Sequence, residues 1–153
     1  MPVVHVYQYF VCDIDERTIT GGSLSRAKSI TLGDGEPYDQ TFKVAPDTAI
    51  KVWDKTENEA MGGFDFLWIE SDRDVLVQYT ADAGSSDAYV VEELKGSGTA
   101  GQMGVARVLN SDRMNKLDGS IDTFDGTADT ISEVWIYNAD DTDTARVRVV
   151  VAT

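Results

Sequence analysis

Phe66-Leu67-Trp68-Ile69-Glu70-Ser71-Asp72-Arg73-Asp74-Val75-Leu76-Val77-Gln78-Tyr79 decides how this chain is read. Apolar residues recur at every second position on either side of a short acidic break, which is the period of a half-buried strand. The same grammar returns later, where Glu133-Val134-Trp135-Ile136-Tyr137-Asn138 leads through Ala139-Asp140-Asp141-Thr142-Asp143-Thr144 into Ala145-Arg146-Val147-Arg148-Val149. The two stretches read as related tryptophan hairpins, with Trp68 and Trp135 as core anchors of two similar halves.

Working outward, the pattern predicts about ten strands and little helix. They fall at residues 3–14, 27–32, 41–44, 48–53, 64–69, 75–79, 89–94, 105–109, 131–137 and 145–151. Gly21-Gly22-Ser23, Gly33-Asp34-Gly35 and Lys95 to Gly101 read as loops, since glycine clusters punctuate regular structure. Many short strands with turn signals between them imply an all-β, antiparallel two-sheet sandwich, jelly-roll-like. One domain over residues 1–153 is expected, because neither half holds a sufficient core alone. A chain of this length buries roughly 68–70% of its unfolded surface, enough without metal or disulfide.

The charge is extreme: 27 acidic residues face 13 basic ones, for a net −14. Such a field disfavours nucleic acid and anionic membranes as partners. Asp dominates the acidic set, and its short carboxylate suits turns more than helices. Cys12 is the only cysteine, so no intramolecular disulfide forms. No secretory pattern opens the sequence and no apolar run reaches the ~20 residues of a membrane span. A soluble protein folded in a cytoplasm is expected.

Catalytic groups are scarce. His5 is the sole histidine, and strand parity sets it on the opposite face from Cys12. Zinc chemistry wants about four nitrogen or sulfur ligands, which the chain lacks. A carboxylate-pair hydrolase is the weakest of the functional expectations. No cofactor is expected. Calcium is the one metal considered, with Asp140, Asp141 and Asp143 as candidates in one turn and Asp122, Asp125 and Asp129 in another, because calcium takes clustered oxygen ligands.

Three surfaces are candidate contacts. The strand at 3–14 has no polar face until Asp13, so Val3, His5, Tyr7, Tyr9 and Val11 are candidates for a neighbouring subunit. Arg146 and Arg148 share a face of the last strand, either protecting an edge or meeting an acidic neighbour. Trp53, beside the polar stretch from Asp54, is the candidate glycan contact.

Trp68-Ile69-Glu70-Ser71-Asp72 followed by Val75-Leu76-Val77 resembles the strand–"ESD"–strand pattern of small β-sandwich virion proteins of tailed bacteriophages. Val108-Leu109-Asn110-Ser111-Asp112 is similar to their "LGSD"-like turn. Val134-Trp135-Ile136-Tyr137-Asn138, running on to Ala145 through Thr153, is similar to their closing hairpin. The resemblance implies a non-enzymatic capsid decoration (cement) subunit, trimeric, that binds and stabilises the shell of major capsid protein on the virion surface. The alternative it leaves open is a carbohydrate- or receptor-binding module of a phage tail or spike.

Overall fold

The computed structural model describes residues 3–14, 17–31, 38–57, 64–81, 88–96, 105–109, 114–115, 128–129 and 131–152. The chain divides into two compact units, Met1–Asp34 and Gly35–Thr153.

The first unit is a long antiparallel ribbon of β1 (Val3–Ile14) and β2 (Arg17–Thr31). Here the structure departs from the predicted loop at Gly21-Gly22-Ser23. Those residues pair with Phe10, Tyr9 and Gln8 inside β2. Glycine weakens a strand without forbidding it. The irregularity falls later: Val6 pairs with Lys28 and Gln8 with Ser23, so residues 24–27 bulge opposite Tyr7.

The second unit is the expected all-β sandwich, and no helix occurs among the described residues. Its strands are β3 (Tyr38–Val44), β4 (Thr48–Asp54), β5 (Phe66–Ser71), β6 (Val75–Ala81), β7 (Ala88–Leu94), β8 (Val105–Leu109), β11 (Ile131–Asn138) and β12 (Ala145–Ala152). Between β8 and β11, β9 (Met114–Asn115) and β10 (Ala128–Asp129) form a two-residue ladder. One four-stranded sheet has the order β3-β12-β5-β8 and the other β4-β11-β6-β7. The pairs β3·β12, β4·β11, β5·β8 and β6·β7 nest inside one another. That is a long double strand rolled up on itself, the topology of a jelly roll.

This topology corrects the reading of the tryptophan stretches. β5 and β6 do not pair, and neither do β11 and β12; each couple lies in different sheets. The acidic turns Asp72–Asp74 and Ala139–Thr144 are therefore arches between sheets. Local alternation is identical for a hairpin and an arch, because both need one apolar face per strand.

The core lies between the sheets. Val44, Leu67, Ile69, Val147, Val149 and Val151 from one side meet Trp53, Val75, Val77, Tyr79, Val134 and Ile136 from the other, all essentially inaccessible. Branched side chains dominate, as befits a pleated, buried surface.

The arches are tied together by buried polar groups. The Asn138 amide donates to Val44 O at 3.0 Å and Asp143 O at 2.8 Å, and its Oδ1 accepts from Asp140 N at 3.2 Å. Asp72, 1% exposed, accepts from Arg146 N at 2.8 Å while its own N–H donates to Arg146 O at 3.2 Å. Asp47 sits at φ 50°, a left-handed conformation that Asp tolerates. It donates its N–H to Asp140 O at 3.0 Å. Gly96 is required by close approach, since a Cβ there would come within 2.4 Å of the Arg73 backbone.

Candidate functional site

The tryptophans exchange the roles expected of them, and a bulge is the reason. Along β4, Ala49 and Lys51 face outward, opposite Tyr137 and Trp135 of β11. Unbroken alternation would put Trp53 on that same outer face. The register instead jumps between Trp135↔Lys51 and Val134↔Trp53, leaving Val52 as the extra residue. A bulge reverses the facing of everything beyond it. Trp53 therefore turns inward, 2% exposed, with its ring edge-on to Phe64 at 5.1 Å between centroids. It presents no surface to a glycan, and the candidate contact at Trp53 is withdrawn.

Trp135 takes the exterior instead. In β11 the inward residues are Val134, Ile136 and Asn138, so Trp135 and Tyr137 point out of the sheet and are only half-buried. Trp68 likewise lies on the outer face of β5, stacked on Phe66 at 6.2 Å. Neither is a core anchor.

On the outer face of the β4-β11-β6-β7 sheet, the registers set Lys51, Trp135, Gln78 and Val91 in one row. Ala49, Tyr137, Leu76 and Glu93 form the next. Small Ala49 and unbranched Gln78 stand beside the large rings and leave a depression of about 450 Å³, lined by Ala49, Leu76, Gln78, Val91, Trp135 and Tyr137. Val91 at its margin is 46% exposed.

Hydrogen bonds hold the rings in place. Trp135 Nε1 donates to Glu133 Oε2 at 2.7 Å, and Tyr137 Oη donates to Asp47 Oδ1. That acceptor carboxylate pushes the Tyr137 phenol up from its ordinary value, so the hydroxyl stays protonated. Lys51 Nζ lies 5.9 Å from the Trp135 ring centroid and pairs with Asp54, with Glu57 and Glu133 each at 3.7 Å. The Lys51 bond, then the Thr56 hydroxyl and N–H at 2.6 and 2.8 Å, hold the Asp54 carboxyl well below the usual carboxylate range. Asp54 in turn raises Lys51.

The acidic turn at Asp140–Asp143 is committed to structure. Asp140 Oδ1 accepts from Asp143 N at 2.9 Å, Thr142 N at 2.8 Å and Thr142 Oγ1 at 2.9 Å, which lower its pKa. Asp143 pairs with Arg73 at 3.0 Å, and Asp141 is exposed. Among the described residues no three side chains of metal-ligand type converge, so the calcium expectation at Asp140, Asp141 and Asp143 finds no site there. Residues 118–127 of the second Asp-rich stretch lie outside the described residues.

Arg146 and Arg148 do share an outward face, with Val147 and Val149 buried. β12 is not an edge, however; it runs between β3 and β5, which removes the edge-protection reading. Arg148 grips Asp39 with two bonds, Nε to Oδ1 at 3.0 Å and Nη2 to Oδ2 at 2.8 Å, and has Glu70 at 3.7 Å. Its charge is answered within the chain. Arg146 is exposed and stands opposite Lys43.

In the first unit, Val3, His5 and Tyr7 occupy one face of β1, Val3 being 45% and Tyr7 55% exposed. The side chains of Tyr9 and Val11 lie outside the described residues. No protein-family model, no curated protein and no solved structure matches this chain.

Proposed function

We propose that this protein is a non-enzymatic virion structural protein, a capsid decoration subunit that binds and stabilises the major capsid protein shell. One observation carries the reading: besides the jelly roll of Gly35–Thr153, the chain forms a second compact unit, the β1–β2 ribbon, on which Val3, His5 and Tyr7 are exposed. A two-stranded ribbon is marginal in water by itself, and exposed apolar side chains on it are best used against another protein. The ribbon then supplies the contact to the shell and the sandwich is the folded body of the subunit, a division suited to a subunit that bridges shell proteins as a trimer. The resemblance at Trp68–Asp72 and Val134–Asn138 supports the same reading.

Sedimentation with empty shells of the major capsid protein tests it. Full-length protein should pellet with the shells, and the pair Val3→Asp with Tyr7→Asp should abolish pelleting while the sandwich keeps its NMR spectrum. Wild-type protein that stays in the supernatant would overturn the proposal.

A further inference from the structure

The outer groove of the β4-β11-β6-β7 sheet has a composition that a shell contact through the β1–β2 ribbon does not explain. We infer that it is a binding site for a neutral pyranose chain, read by stacking on Trp135. The argument starts from the ring. The Trp135 indole spends its one N–H on Glu133 at 2.7 Å and carries Lys51 Nζ over one side of the ring, 5.9 Å from its centroid, so what it offers a ligand is the opposite π face, toward the depression. That face is negative, and the C–H bonds on one side of a hexose ring present the complementary positive surface. Tyr137, two residues along the strand and so roughly 7 Å away, extends the platform to a second sugar.

Polar groups stand beside the ring. Gln78 neighbours Trp135 in the same row, donates at 3.3 Å to Thr80 Oγ1, and keeps a carbonyl oxygen with no partner among the described residues. Lys51 neighbours the ring on the side away from Gln78, and Glu133, two residues before Trp135 on the same strand, lies 3.7 Å from Lys51. An apolar protein surface pressed onto this face would strand the Gln78 amide and the Lys51–Glu133 charges. A polyhydroxylated ring satisfies them. The groove's volume of about 450 Å³ falls within the range of small-ligand clefts. Charge selects among sugars: Glu133, Glu93 and Asp47 border the site, and the chain carries −14. Sulfated, phosphorylated and sialylated glycans are repelled, and neutral ones are not.

The test uses full-length, ¹⁵N-labelled protein titrated with cellohexaose, maltohexaose, mannohexaose and chitohexaose, following the three indole N–H resonances. At least one hexaose should shift the Trp135 indole and leave that of Trp53 unmoved. Trp135→Ala should weaken that binding about tenfold or more, equivalent to about 1.4 kcal/mol, with Gln78→Ala weaker than wild type as well. Both are outward-facing substitutions, and an otherwise unchanged spectrum shows that they fold. The ribbon variant Tyr7→Asp should bind the sugar normally, which separates this site from the shell contact. Failure of all four hexaoses at millimolar concentration would overturn the inference, as would Trp135→Ala binding at full affinity. Self-association lost in Val91→Asp, with no sugar response, would assign the groove to a second copy of the chain and also overturn it.

Discussion

Replacing Asn138 with Ala tests how the sandwich is closed. The wild-type side chain is fully buried and joins three segments: it donates to Val44 O at 3.0 Å and Asp143 O at 2.8 Å and accepts from Asp140 N at 3.2 Å. Each such bond contributes about 1 kcal/mol net, and a carbonyl left buried without a donor costs more than that. Asn138→Ala should therefore destabilise the protein by about 3 kcal/mol. For a unit of this size that lowers Tm by about 10 °C. The neighbouring exposed Asp141→Ala should stay within about 0.5 kcal/mol of wild type. Urea and thermal unfolding, followed by circular dichroism, give both numbers. A change below about 1 kcal/mol for Asn138→Ala would refute the reasoning, because the arch would then be held by packing alone.

Three further outcomes follow from the same structure. Trp53→Ala should cost about 3–5 kcal/mol as a large buried ring, while Trp135→Ala costs about 1 kcal/mol or less; acrylamide should quench Trp135 and Trp68 but spare Trp53, and equal quenching of all three would contradict the bulge. Asp54 has its folded-state pKa held below the unfolded value of about 3.9, so its contribution is present above that pH and is lost as pH falls through the folded value. Asp54→Asn should lower the urea midpoint at neutral pH and converge on wild type in acid, and a constant gap across pH would contradict the Lys51–Asp54 pairing. Gly96→Ala should lose about 1–3 kcal/mol through overpacking, since its Cβ would meet the Arg73 backbone at 2.4 Å; an unchanged Tm would show that the loop shifts freely.

Strand positions were legible because alternation is written into each strand locally. Val147 and Val149 fall inward and Arg146 and Arg148 outward, as their parity requires. Which strands pair was not legible. The turn after Ser71 has the short polar composition of a hairpin, yet it crosses to the other sheet because β5 is claimed by β12 and β8. The bulge at Val52 was equally invisible: a single extra residue leaves no mark in composition but moves Trp53 from the surface to the core. The site was missed for the same reason. Once Trp135 is taken as a core residue, the outward row Lys51–Trp135–Gln78–Val91 cannot be assembled, because Trp135 is far in sequence from the strands that flank it, β4 and β6. The one clue available was Glu133-x-Trp135-x-Tyr137, a charged residue sharing parity with both rings.

The most direct test of the proposed function is quantitative mass spectrometry of purified virus particles. A decoration subunit should be present at a copy number matching the symmetry positions of the shell. Its absence from particles, or a copy number of only a few per particle, would contradict that assignment.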